Sequence, residues 1–428
     1  MSRRPLSTTA AIVVLTTIFF TWGALTSLND VLIPHLKAVF EMNYAQTMLI
    51  QFTFFSTYLL MSVPAGKVVA AAGYKRSIVI GLCVAGLGAL TFFPAARIPS
   101  YPLFLFALFV LASGITLLQV SANPYIALLG DPQHASSRLT LAQALNSAGH
   151  TLAPLLIGPL ILSGVVIGAT ELAQMPEAQQ AAYRVAQAKS VQLPYLGIAA
   201  GLFLLAAFVV VFRLPAHAEA TENADHRHHT FAEVLRHRHL RFGVVGIFVY
   251  VGAEVAIGSF LINYISDPRI GALDAATATR YVAWYWGLAM AGRFIGSLLL
   301  RRIEPRVLLG VFAIAAMALL AITMLSEGRV AVWSIVAIGL FNSIMFPTIF
   351  TLGIDGLGPL TSKASSLLVM AIVGGAVVPL LQGLLADRIG VQMAFVLPVF
   401  CYAFVAWYGF RGARRAHAEA TAVPVAQP

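Results

Sequence analysis

Residues 12–30 read IVVLTTIFFTWGALTSLND, and the chain continues at once with Val31, Leu32 and Ile33. Asn29 and Asp30 are the only strongly polar side chains in a run long enough to cross a bilayer, which takes about 20 apolar residues. The run reads as a membrane-spanning helix with a carboxylate inside it. On insertion scales an Asp at the centre of such a helix costs roughly 2.5–3.5 kcal/mol. Helices that keep one face it into a water-filled cavity, where it serves a proton, an ion or a polar substrate.

The rest of the chain agrees. Of its 428 residues 59% are hydrophobic and 10% charged, with a mean hydropathy of +0.85, against about 25% charged residues in a soluble domain. An all-α, polytopic membrane protein with twelve transmembrane helices follows. Spans are expected near 9–36, 45–70, 77–97, 102–129, 138–165, 192–213, 240–265, 277–300, 307–325, 331–353, 363–386 and 391–410. The start, Met1-Ser2-Arg3-Arg4, runs into the first span with no small-residue cleavage site, so that helix is expected to be retained. Cys83 and Cys401 both sit in apolar runs and form no disulfide or zinc spacing. The net charge of +10 is topology, and no nucleic-acid partner is expected. With the N-terminus inside, 17 of the 27 Lys and Arg residues fall on cytoplasmic segments and 8 on the other side, leaving Lys67 and Arg293 within spans. That asymmetry places both termini in the cytoplasm.

The spans divide six and six. Residues 1–213 are expected to form an N-terminal six-helix bundle and 240–412 a C-terminal one. A cytoplasmic linker of 214–239 joins them, and a tail of 413–428 follows. The linker carries Asp225-His226-Arg227-His228-His229 and Arg236-His237-Arg238-His239; a histidine-rich tract can bind metal, but solvated linker is the favoured reading and no metal is expected. A second polar stretch, Thr170 to Ser190, reads as an outer connector. The halves echo each other: Asn123-Pro124-Tyr125-Ile126-Ala127-Leu128-Leu129-Gly130 parallels Phe346-Pro347-Thr348-Ile349-Phe350-Thr351-Leu352-Gly353, and Gly149-x4-Pro154-Leu155-Leu156 parallels Gly374-x4-Pro379-Leu380-Leu381. The offsets, 223 and 225 residues, fit the major facilitator architecture of two similar six-helix halves, with substrate bound between them near the midplane.

Polar side chains recur in corresponding spans. Asn29 and Asp30 lie in the first, Gln51 in the second, Gln119 and Asn123 in the fourth, and Gln143 and Asn146 in the fifth. Glu254 and Asn263 lie in the seventh, Trp284 and Arg293 in the eighth, Asn342 in the tenth and Gln382 in the eleventh. Gln119 and Asn123 (i, i+4) share a helix face, as do Gln143 and Asn146 (i, i+3). An amide both donates and accepts, as a neutral polyol requires. Aromatic rings, among them Trp22, Phe55, Tyr58, Trp284 and Trp286, can cover the apolar face of a sugar. The plainer alternative is that the amides only tie neighbouring helices together, at under about 1 kcal/mol each. Asp30 and Glu254 are the candidates for cation coupling, by proton or by sodium, although an ion pair with Arg293 would also explain one of them. Lys67, Arg76 and Arg293, beside the short basic loops, are candidates for a gate or for simple anchoring.

Taken together, Trp22-Gly23, Asn29-Asp30, Ile33-Pro34, Ser121-Ala122-Asn123-Pro124, Leu141-Ala142-Gln143-Ala144-Leu145-Asn146-Ser147, Pro347-Thr348-Ile349-Phe350-x-Leu352-Gly353 and Gly374-Gly375 resemble the fucose–galactose–glucose:proton symporter family. The resemblance covers nearly the whole chain except the central and sixth-span-flanking loops. It implies a twelve-helix major facilitator fold and cation-coupled uptake of a monosaccharide. The family's coupling acid matches Asp30, and its fifth-span amides match Gln143 and Asn146. Fucose symporters carry a second acid where this chain has the neutral Gln119. Asn29-Asp30-x2-Ile33-Pro34-His35-Leu36-Lys37 and Tyr250-Val251-Gly252-Ala253-Glu254 are more similar to the glucose/galactose branch, with Glu254 as a candidate second acid.

The expected protein is a monomeric bacterial inner-membrane importer of glucose or galactose, without a cofactor, driven by protons. Sodium coupling, another sugar (fucose, mannose, N-acetylglucosamine) and export remain as alternatives. Neither G-x-G-x-x-G nor a His/Glu metal motif falls on a span, so an enzyme is not expected.

Overall fold

The computed structural model describes residues 8–40, 44–97, 100–156, 174–180, 182–183, 192–212 and 230–413. Side chains are described throughout these except at 26, 28–40, 44–48, 96–97, 154–155 and 275–276. Among the described residues the regular structure is helical throughout, as lipid demands: only a helix or a closed barrel satisfies every backbone N–H and C=O in hydrocarbon.

The first half contains α1 (Thr8–Phe40), α2 (Tyr44–Arg97), α3 (Tyr101–Leu128), α4 (Ala135–Leu156) and α5 (Gln192–Val211). In α2 the expected second and third spans run together, divided at Gly73 (φ 77°, ψ 169°), a backbone state that suits glycine. The second half contains α6 (Arg238–Ile265), α7 (Ala275–Leu299), α8 (Pro305–Leu325), α9 (Gly328–Asn342), α10 (Met345–Ile354), α11 (Thr361–Met370), α12 (Gly374–Ile389) and α13 (Val396–Trp407). Among the described residues nine stretches are long and apolar enough to cross a membrane. The stretch 49–95 holds two of the expected spans, and α4 and α7 supply the remaining two.

Three segments show detail beyond the expected spans. The tenth span, expected over 331–353, is two helices, because Pro347 has no N–H to offer the Ser343 carbonyl and the ladder is interrupted there. The eleventh, expected over 363–386, breaks at Ala371–Val373 before Gly374. The linker expected to end at 239 already carries a helical turn at Phe231–Val234, capped by Thr230 Oγ1 accepting from the Glu233 amide at 3.2 Å. Helix α6 then starts at Arg238. The histidine tract 225–229 and the tail from 414 lie outside the described residues.

Helix α3 is buried without a break from Leu111 to Ala127; Ala112, Ser113, Gly114, Ser121 and Ala122 let neighbouring backbones approach. The outer surface is oil-like, with Leu193, Leu204 and Leu325 strongly exposed. The two repeated Gly-x4-Pro segments occupy matching positions. A Cβ on Gly149 would lie 2.0 Å from the Phe20 carbonyl oxygen on α1, and one on Gly374 would lie 2.0 Å from that of Phe248 on α6. Each half thus crosses its first helix over its fifth at a glycine.

That contact is backbone on backbone and cannot yield by a rotamer change. Gly149→Ala is expected to destabilise the detergent-solubilised protein by about 1–3 kcal/mol, the range for overpacking. Gly197→Ala, where a Cβ meets nothing within 4 Å, should be neutral or slightly stabilising. Thermal unfolding of the two purified variants beside the parent checks both.

Candidate functional site

Two polar clusters face each other across the halves. In the first, the Gln119 amide on α3 donates to the Tyr58 hydroxyl on α2 at 3.0 Å, and the Gln143 amide on α4 donates to the Asn123 oxygen at 3.4 Å. The helical spacings deliver this directly: each pair shares a face, and the small residues of α3 bring α4 against it. Gln119, Asn123 and Gln143 are buried, and among the described residues the Asn123 amide nitrogen meets no acceptor. A buried donor without a partner is costly and marks a place where a ligand hydroxyl would fit. Asn146 is used differently. Gly23 lets α1 touch α4 backbone to backbone, and there the Asn146 amide donates to the Phe19 carbonyl at 2.9 Å. The Phe19 and Trp22 rings pack nearby, 4.9 Å apart and tilted by 32°.

The second cluster surrounds Asn342 on α9, which is fully buried. Its amide nitrogen donates to the Tyr285 hydroxyl at 2.7 Å, its side-chain oxygen accepts from Tyr402 at 2.6 Å, and its main-chain carbonyl accepts from Tyr250 at 2.9 Å. Glu254, one turn after Tyr250 on α6, lies beside these tyrosines. Its carboxylate pairs loosely with Arg293 of α7 at 3.8 Å, both side chains being largely buried. The Arg293 Nε donates to the Ser343 carbonyl at 3.3 Å, and Nη1 donates to the Ser147 hydroxyl on α4. Through Arg293 the two clusters become one site spanning both halves.

Other contacts between the halves extend from there to the Asp131–His134 loop. Ser136 and Thr351 share a hydrogen bond of 2.6 Å, Ser137 donates to the Ser297 carbonyl at 2.6 Å, and Ser365 donates to the Val120 carbonyl at 2.9 Å. On the far side of Arg293 the His150 and Trp286 rings meet across the halves at 6.1 Å.

Gln119, Asn123, Gln143, Glu254, Arg293 and Asn342 therefore come together as the sequence suggests. Gln51 is half-buried on α2, seven residues before Tyr58, and Asn146 joins α4 to α1. Asn263 is exposed and lies nine residues, about 14 Å, along α6 from Glu254, so it stands apart from the cluster. Trp284 is mostly exposed, and it is Trp286 that meets the other half. Lys67 and Arg76 are exposed and make no hydrogen bond or ion pair among the described residues. The backbones of Asn29 and Asp30 belong to α1, and their side chains lie outside those described. Sequence reasoning missed Tyr285, Tyr402, Ser147 and His150. A tyrosine deep in an apolar span needs a partner for its hydroxyl, and that signal would have found the first two.

Tyr285→Phe removes the acceptor of a buried amide and is expected to cost about 1–3 kcal/mol. Tyr285→Phe combined with Asn342→Leu and Tyr402→Phe, which removes the stranded amide together with the other hydroxyl that depends on it, should recover part of that loss. Unfolding midpoints of the two variants test the coupling.

Residues 11–372 match the family described as the Major Facilitator Superfamily. A glucose/galactose transporter of Brucella abortus is 49% identical over 404 residues, covering 94% of each chain. A putative glucose/galactose transporter of Helicobacter pylori is 41% identical, covering 95% of this chain and 97% of that one. The crystal structure of the E. coli fucose:proton symporter superposes with a TM-score of 0.87 at 34% identity, covering 95% of this chain and 99% of that one. The helical fold and the family match over residues 11–372 agree: this protein belongs to the major facilitator superfamily, within the fucose–galactose–glucose:proton symporter family.

Proposed function

We propose that this membrane protein is a proton symporter that imports glucose or galactose by alternating access. The observation that carries the reading is the neutral, two-way hydrogen-bonding lining formed by Tyr58, Gln119, Asn123 and Gln143, with an orphaned Asn123 donor, set against an acid–arginine pair in the opposite half. Hydroxyls of a hexose donate and accept, and amides and phenols answer in both senses. A carboxylate or ammonium substrate would leave most of these groups mismatched. The neutral Gln119 and the names carried by the Brucella and Helicobacter relatives favour glucose and galactose over fucose.

Coupling is assigned first to Asp30 and second to Glu254. A carboxyl in a low-dielectric cavity is easiest to carry across when protonated. Loading Asp30 with a proton would let the carrier reorient without an unpaired charge. Glu254 differs because its partner is built in. Arg293 is also held by the Ser343 carbonyl and the Ser147 hydroxyl, so its position depends only partly on the charge of Glu254. No cofactor is proposed, and one chain forms the whole pathway. The bias of basic residues toward the expected cytoplasmic segments supports an orientation with both termini cytoplasmic, and the bacterial relatives support the inner membrane.

Uptake of radiolabelled glucose into proteoliposomes tests this. Accumulation under an imposed proton gradient, competed by galactose, is expected; accumulation only under a sodium gradient would reassign the coupling ion. Asp30→Asn is expected to lower gradient-driven accumulation at least about tenfold, roughly 1.4 kcal/mol, while glucose–glucose exchange persists. Loss of exchange and binding together in folded protein would make Asp30 a sugar ligand or a structural residue.

A further inference from the structure

Two of the prolines inside spans fall at matching positions of the repeat. Each lacks the N–H that would bond the carbonyl four residues back, so Pro124 releases the Val120 carbonyl and Pro347 releases that of Ser343. Neither carbonyl is left bare. Val120 accepts from the Ser365 hydroxyl of the opposite half at 2.9 Å. Ser343 accepts from Arg293, whose guanidinium also holds Ser147 of the opposite half. Val120 lies eight residues before the end of α3 and Ser343 eleven before the end of α10, about 12 and 16 Å of helix. Both thus lie well inside a span, in reach of a hydrocarbon core about 30 Å thick.

The residue before each is a polar group of the candidate site, Gln119 before Val120 and Asn342 before Ser343, and both pairs stand 223 residues apart. We propose that these two carbonyls are the sockets of a latch that holds the halves closed on the side of the Asp131–His134 loop. Placed one residue beyond Gln119 and Asn342, the latch lets sugar contact and closure act on the same turn of helix. Opening that side must withdraw Ser365 and separate Arg293 from Ser147. The carbonyls then face the pathway, where water or substrate hydroxyls replace the lost donors. The proposal rests on the alternating-access reading only for its purpose; the closure itself is measurable without transport.

The test uses the full-length chain in nanodiscs with Cys83 and Cys401 replaced by serine, spin labels at positions 133 and 301, and distance distributions by pulsed electron resonance. Ser365→Ala is expected to raise the population separated on that side about 2- to 10-fold, the worth of one buried hydrogen bond. Pro124→Ala, which restores the helix's own donor to Val120, should shift it the same way. The double variant should shift it no further than the larger single change, because both act through one bond. Ser365→Thr keeps the hydroxyl and should restore the parent distribution. Arg293→Gln should open the second socket, and Arg293→Lys, whose single head cannot hold Ser343 and Ser147 together, should do so in part. Unchanged distributions in Ser365→Ala and Pro124→Ala, or strictly additive shifts, would overturn the latch. Those shifts in a protein that fails to accumulate glucose would leave the latch standing and refute the symport reading alone.

Discussion

A carbonyl freed inside lipid has no water to turn to, and the organisation of this protein follows from where such groups find donors. A helix solves the problem for itself except where a proline removes an N–H. The two repeated prolines create that exception inside a span of each half, and the donors that resolve it come from other helices. Ser365 crosses from the second half to α3. Arg293 reaches Ser343 within its own half and Ser147 beyond it. An interface built on such bonds is strong enough to define a closed state and weak enough to be exchanged, since membrane-buried side-chain hydrogen bonds average about 0.6 kcal/mol.

Arg293 carries a second constraint. A guanidinium remains charged at any physiological pH, so wherever it sits in the membrane its surroundings must compensate. Here the compensation is divided between one carboxylate at 3.8 Å and two neutral acceptors. Division of this kind suits a moving part better than a tight bidentate pair, because no one partner owns the charge. The tyrosine cage around Asn342 does the opposite. It satisfies that amide at both ends and fixes α9 against α6, α7 and α13. The second half therefore reads as a rigid frame holding one adjustable cation.

The spans, their number and the repeat were legible because hydrophobic run length and polar spacing are local properties. Gln119 with Asn123, and Gln143 with Asn146, could be placed on common faces from 3.6-residue periodicity alone. What the chain hid is tertiary. Whether Asn146 meets a ligand or the Phe19 carbonyl depends on how closely Gly23 lets α1 approach α4. Trp284 and Trp286 are equivalent in composition, and only the rotation of α7 decides which one faces the partner half. Asn263 shares a span with Glu254 but lies too far along it to join the cluster.

Arg293 pairs with an acid of its own half and also touches the opposite half. Glu254 and Ser147 lie on opposite halves, and the same guanidinium reaches both. An acid that loses its charge on proton binding changes the pull on an arginine that also spans the two halves. Under the proposed coupling, protonation of Glu254 would act on the half-to-half contact through one side chain, without a chain of intermediate residues. The required differential interaction is local and two-sided, which a coupled transport cycle needs if ion binding is to bias one conformation over another.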